Sequence, residues 1–166
     1  MNIFIVGPMG SGKSTVGKSL AKKLQYNFID IDKLIESKEE TSINLIFKNK
    51  SENYFRKIES EITLRELKRN NSVISLGGGA FLNTKIKKEI LDNHISFWLN
   101  WDVKTLADRI KDSKKRPIVH KSSKSEIEEL IKKRSIIYSK AMYKINCENY
   151  TKSAIANNII EIYETN

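Results

Sequence analysis

The chain predicts an α/β fold, a five-stranded parallel sheet with helices on both faces. Three observations lead there. Short apolar, β-branched runs alternate with stretches of helical spacing along the whole chain, the pattern of strands joined by helical crossovers. The first run ends in a glycine-rich turn that leads directly into a helical stretch. The 166 residues, 39% hydrophobic and 30% charged, suit a single domain over residues 1–166. Such a domain buries about 70% of the surface its unfolded chain exposes, enough for a core without staples.

Each element follows from its local pattern. Residues 2–6, NIFIV, form a continuous apolar run stopped by Gly7, as in a strand buried on both faces. Residues 13–24 place Val16, Leu20, Ala21 and Leu24 on one helical face. Residues 27–31, NFIDI, read as a second strand ending at the acidic pair Asp30 and Asp32. Residues 32–70 read as two or three helices, the last carrying Tyr54, Phe55, Ile58, Ile62, Leu64 and Leu67. A third strand at 72–76 stops at three consecutive glycines, and a helix over 83–91 leads into a fourth strand at 95–99. Residues 102–111 are helical, and the basic stretch 111–124 reads as a mobile loop. Ser125 and Glu128 have the spacing of a capping box opening a helix that runs to about residue 141. A fifth strand at 143–147 and a helix over 153–163 close the chain, with Trp98 in the core and Trp101 at its edge.

The net charge of +10 points to an anionic partner, and its placement narrows the kind. Residues 104–124 hold eight basic and two acidic side chains. Charge gathered in one loop, without interleaved base-stacking aromatics, suits a small anionic ligand better than a nucleic acid. The single cysteine, Cys147, excludes an internal disulfide, and no Cys/His cluster suggests structural zinc. No run approaches the ~18 apolar residues of a membrane span. The first apolar run has no basic residue before it and is broken at once by Gly7 and Pro8, unlike a signal peptide. The expectation is a cytoplasmic monomer that binds neither nucleic acid nor membrane.

Glycine is the sharper clue. Of seven glycines, Gly7, Gly10 and Gly12 lie in one short cluster, Gly17 just beyond it, and Gly77, Gly78 and Gly79 in another. A chain this sparing with glycine marks places where φ is positive or another group comes very close. GPMGSGKS over residues 7–14 matches G-x-x-x-x-G-K-[S/T], between a strand and a helix. Such a loop, residues 7–15 here, aims backbone N–H groups and a helix N-terminus at a nucleoside triphosphate. Gly10, Ser11, Gly12 and Thr15 belong to that cradle, Lys13 would reach the β- and γ-phosphates, and the Ser14 hydroxyl would coordinate Mg²⁺.

A GTPase would also need D-x-x-G after a strand, and no glycine lies between Gly17 and Gly77. NKSE at 49–52 lacks the aspartate of a guanine-reading segment. A small-molecule kinase is the economical reading. The third strand lacks a terminal aspartate for Mg²⁺, so Asp30 is the best substitute, with Asp32 two residues on facing the same cleft from the strand end. Gly77, Gly78 and Gly79 offer bare backbone donors suited to a polyhydroxylated ligand. A gluconate kinase, a nucleoside monophosphate kinase and, from another class, a basic nucleic-acid-binding ATPase remain the alternatives.

Five ordered motifs sharpen this. They are FIDID at 28–32, Glu52 with Phe55, Arg56 and Glu59, GGGA at 77–80, Leu106 and Arg109 ahead of RPI at 116–118, and Arg134 with Tyr138 and Ala141. With them the chain resembles the shikimate kinase family over essentially its whole length. The resemblance implies a P-loop kinase fold with substrate-binding helices at 32–70 and a lid at 111–124. It implies ATP-dependent phosphorylation of the 3-hydroxyl of shikimate, toward chorismate and the aromatic amino acids. By that resemblance Arg56 and Arg134 clamp the substrate carboxylate, where arginine's planar fork outperforms lysine. Asp32 binds the reacting hydroxyl and can take its proton, with Gly77, Gly78 and Gly79 completing the contacts. Ser14 and Asp30 hold Mg²⁺, Lys13 and Arg116 neutralise the phosphoryl group in transfer, and Arg109 lies against the adenine. Thr151 and Lys152 are candidates for a second adenine contact. Glu59 is expected to orient Arg56 one helical turn away.

Overall fold

The computed structural model describes residues 1–111 and 122–165. Five strands, β1 (Ile3–Val6), β2 (Asn27–Asp30), β3 (Ser72–Ser75), β4 (Ile95–Asn100) and β5 (Tyr143–Asn146), form one sheet in the order β2-β3-β1-β4-β5. Every neighbouring pair is parallel. All carboxyl ends therefore lie on one edge, and the chain reverses its direction across the sheet beside β1, where ligands of open α/β sheets bind.

The alternation of side chains divides the core as the apolar runs require. Ile3, Ile5, Val73, Phe97 and Leu99 pack on one face beneath α1 (Lys13–Leu24) and α8 (Lys152–Glu164). Phe4, Val6, Ile74, Leu76 and Trp98 pack on the other, beneath α2 (Ile31–Glu39), α3 (Ile43–Asn49), α4 (Glu52–Glu66) and α5 (Thr84–Asn93). A smaller cluster joins Leu106, Ala107 and Ile110 of α6 (Val103–Lys111) to Ile127 and Ile131 of α7 (Lys124–Tyr138).

The expected elements are present, with local corrections. Strand β2 stops at Asp30, because the Asp30 side chain accepts from the Lys33 N–H and caps α2. Asp32 accordingly stands in the first turn of a helix, not at a strand end. The α4 face buries Phe55, Ile58, Glu59, Ile62 and Glu66, whereas Leu64 is off that stripe and exposed. The capping box is Ser123 with Glu126, two residues before the expected Ser125 and Glu128. Both pairs fit the S-x-x-E pattern; the earlier start also lets Lys124 pair with Asp108 of α6 at 2.5 Å. That helix ends at Tyr138, short of residue 141. Most of the expected lid, with Arg116 and His120, lies outside the described residues. Among the described residues no helix is long and apolar enough to cross a membrane.

At the opposite edge one side chain ties three segments together. Asn2 is fully buried; its Nδ2 donates to the carbonyls of Leu67 (3.3 Å) and Arg69 (2.7 Å), and its Oδ1 accepts from the Ser72 N–H (3.2 Å). Its own N–H donates to His94 Nδ1, which explains that histidine as a packing residue, its pKa lowered chiefly by burial. Asn2→Ala strands the buried Ser72 N–H and removes a donor from the Leu67 and Arg69 carbonyls. We expect a loss of about 2–4 kcal/mol in urea unfolding. A loss below about 1 kcal/mol would show that water re-satisfies these groups.

Candidate active site

The loop after β1 turns on glycines with positive φ, Gly10 at 79° and Gly12 at 87°, a conformation that other residues rarely adopt. It ends as α1 begins, and the carbonyl of Gly12 accepts from Thr15 and Val16 N–H. Lys13 reaches back across the loop, its Nζ donating to the carbonyls of Gly7 (3.0 Å) and Pro8 (2.9 Å). Ser14 and Thr15 open onto a cleft of about 720 Å³, as do Gly10 and Gly12. Ser11 differs: the whole residue is buried and does not line the cleft.

The same cleft continues to Asp32, Arg56, Gly78, Gly79 and Arg134. Here the glycine triplet explains itself. A Cβ on Gly79 would lie 2.2 Å from Arg56 Nη1, and one on Gly77 would lie 2.6 Å from both Asp32 Oδ1 and Glu59 Oε1. Three charged side chains from α2 and α4 therefore occupy the volume that side chains after β3 would otherwise fill. Gly78 takes part through its carbonyl, which accepts a short hydrogen bond from the Tyr138 hydroxyl. Burial pushes that hydroxyl up to about 12, so it remains a donor at neutral pH.

Charge within the site is arranged around Glu59. Its Oε2 accepts from Arg56 Nη1 at 2.7 Å, as expected of a residue that orients the guanidinium, and Glu52 takes Arg56 Nη2 at 3.2 Å on the solvent side. Glu59 is only 3% exposed. Burial raises its carboxyl above the usual range, Arg56 and Arg134 pull it back, and the nearby Asp32 adds to the rise. The net direction is upward.

Other expected site residues stand apart. Asp30 is engaged in capping α2, beside Ser75 in the sheet register, and Ser75 lines the cleft. Gly77 lies beneath the Asp32 and Glu59 carboxylates. Arg109 is stacked on Trp101, its guanidinium carbon 3.9 Å from the ring centroid. The Thr151 hydroxyl caps α8 by accepting from Ala154 N–H. The sequence reading missed Phe47 and Phe55, which line the cleft with ring centroids 4.9 Å apart. It also gave Tyr138 no role, although its spacing from Arg134 puts the two on one helical face. Among the described residues no group of three acidic, His or Cys side chains is placed to hold a metal.

The comparisons agree with one another. The shikimate kinase family model matches residues 9–164. The chain is 42% identical to the shikimate kinase of Persephonella marina, over 96% of each chain. It is 39% identical to that of Bacillus subtilis, over 96% of this chain and 87% of the other. The solved structure of the Acinetobacter baumannii shikimate kinase in complex with shikimate superposes with a TM-score of 0.93 at 30% identity, covering 99% of this chain and 93% of that one.

The raised Glu59 carboxyl has a measurable consequence. Because its folded pKa exceeds the unfolded value of about 4.3, the folded state holds the proton more tightly. The stability it contributes is complete below the unfolded pKa and is lost as pH rises through the folded one. Glu59→Gln removes that dependence and retains an acceptor for Arg56. In urea melts the variant should gain on the wild type as pH rises from about 4 to about 7. Parallel stability curves would contradict the upward shift.

Proposed function

The chain belongs to the shikimate kinase family, and on that premise we propose that it transfers the γ-phosphoryl group of ATP to the 3-hydroxyl of shikimate, giving shikimate 3-phosphate and ADP on the route to chorismate and the aromatic amino acids. One observation carries the assignment to this cleft: a single cavity has the phosphate loop on one wall and the pair Arg56 and Arg134, with Asp32, on the other. An acceptor bearing both a carboxylate and hydroxyl groups fits that division. The two guanidiniums bind the carboxylate end. The Asp32 carboxylate accepts from the reacting hydroxyl and fixes its position.

In the transfer the hydroxyl oxygen forms a bond to the γ-phosphorus, the bond from that phosphorus to the β,γ-bridging oxygen breaks, and the hydroxyl proton passes to Asp32. ADP leaves with the electron pair of the broken bond. Lys13 leaves the Gly7 and Pro8 carbonyls for the β- and γ-phosphate oxygens, where its charge offsets theirs. Arg116 supplies a second cation from the segment between α6 and α7, and Arg109 supports the adenine. Mg²⁺, bound with ATP, would neutralise phosphate charge; the Ser14 hydroxyl, which lines the cleft, and the Asp30 carboxylate beside Ser75 would hold it. The partner is a small molecule, and the protein acts as a cytoplasmic monomer.

Coupled assay of ADP release is the direct test, run with shikimate, gluconate and AMP. Release should depend on shikimate and Mg²⁺, and Lys13→Ala should be folded yet nearly inactive. Turnover of gluconate or AMP without shikimate would overturn the substrate. Asp32→Asn should keep nucleotide binding and lose ~10²–10⁴-fold in kcat. A variant retaining more than about a tenth of wild-type kcat would remove Asp32 from the role of base.

A further inference from the structure

Trp101, one residue beyond β4, makes two contacts at once. Its indole Nε1–H donates to the carbonyl oxygen of Ser11 at 2.9 Å, and its ring face carries the Arg109 guanidinium at 3.9 Å. The first contact bears on the phosphate loop. No peptide bond in the described chain is cis, so the Ser11–Gly12 unit is planar and trans. In such a unit the N–H of the second residue points opposite to the carbonyl of the first. With the Ser11 carbonyl drawn to Trp101, the Gly12 N–H is turned away from it, and Gly12 lines the cleft.

A loop built on glycine needs such a hold. Gly10 and Gly12 permit the positive φ angles of the cradle, but the same freedom makes rotation of the intervening peptide planes easy. A rotated Ser11–Gly12 plane would present a carbonyl oxygen to a phosphate in place of an N–H. The buried Ser11 side chain and Met9, packed against the α6–α7 cluster together with Trp101, fix the flanks of the loop but not that plane. We propose that Trp101 is a positioning residue that braces the Ser11–Gly12 peptide so that the Gly12 N–H faces the bound phosphates. The proposal rests on the reading of this loop as the ATP site.

Trp101→Phe separates the brace from the packing, because phenylalanine keeps a ring for Arg109 and loses the N–H. Loss of one such hydrogen bond should weaken binding of ADP, and of inorganic tripolyphosphate by the same factor, about three- to tenfold in calorimetry. KM for ATP should rise with it, more than kcat falls, because the contact serves ground and transition states alike. Shikimate affinity should move by less than about twofold. Tripolyphosphate binding as tight as in the wild type would overturn the brace, and so would an equal loss of shikimate affinity, which would mean general loosening. If the wild type binds neither ADP nor tripolyphosphate, the nucleotide reading falls and the brace with it.

A measurement on the unmodified chain covers the case in which the variant does not fold. If Trp101 favours the phosphate-ready loop, bound phosphate must favour the Trp101 hydrogen bond by the same factor. The Trp101 indole N–H should then exchange with solvent about three- to tenfold more slowly when tripolyphosphate is bound. Unchanged exchange at saturating tripolyphosphate would overturn the proposal.

Discussion

Three residues of bare backbone after β3 are the constraint on which the substrate end of the cleft depends. Arg56 lies closer to Gly79 than any side chain at that position would permit, and Asp32 and Glu59 converge on Gly77 in the same way. The Tyr138 hydroxyl reaches the carbonyl of the glycine between them from α7. Three helices that approach from different directions therefore take their spacing from one short segment. Glycine backbone is free to rotate, so the segment is held by what packs on it: Arg56, Asp32 and Glu59 fill the space its side chains would take, and the Tyr138 hydroxyl bonds the Gly78 carbonyl.

The charges at this site make sense only together. Two guanidiniums facing one cavity would repel each other and lose hydration on burial. Glu59 answers both, bonded to Arg56 at 2.7 Å and close enough to Arg134 to be influenced by its charge. Burial raises the Glu59 carboxyl while the two guanidiniums pull it back, so its own desolvation is offset in part by the arginines it faces. The glutamate thus fixes the Arg56 guanidinium in place and offsets charge from both arginines.

What the sequence made legible has a common feature: it depended on spacing along the chain. The phosphate loop, the glycine triplet, the five strands and the Arg56–Glu59 turn are local patterns, and the structure carries each of them. Where two local patterns competed, the reading erred, as between Ser123 and Ser125 for the α7 cap, because both fit the same S-x-x-E spacing and nothing local separates them. Contacts across long separations were invisible. The bond from Trp101 to Ser11 spans 90 residues and that from Tyr138 to Gly78 spans 60, and composition signals neither. Asp32 was identified correctly as a cleft residue for an incorrect reason, since a first helical turn and a strand end can present a carboxylate to the same space.

The remaining step is how the nucleotide and acceptor halves come to share one space. Strand β1 pairs with β3 through Ile5 and Ser75, and the ladder continues one bond further, from Leu76 N–H to the Ile5 carbonyl. The two strands therefore release their chains side by side, one into the phosphate loop and the other into the glycine triplet. At that point a Cβ on Gly78 would lie 3.4 Å from the backbone nitrogen of Met9. That is an ordinary contact distance, so the two loops run about one side-chain carbon apart at this point. Parallel pairing of two glycine-terminated strands thus delivers the phosphate loop and the glycine triplet to the same edge of the sheet, where both line one cleft.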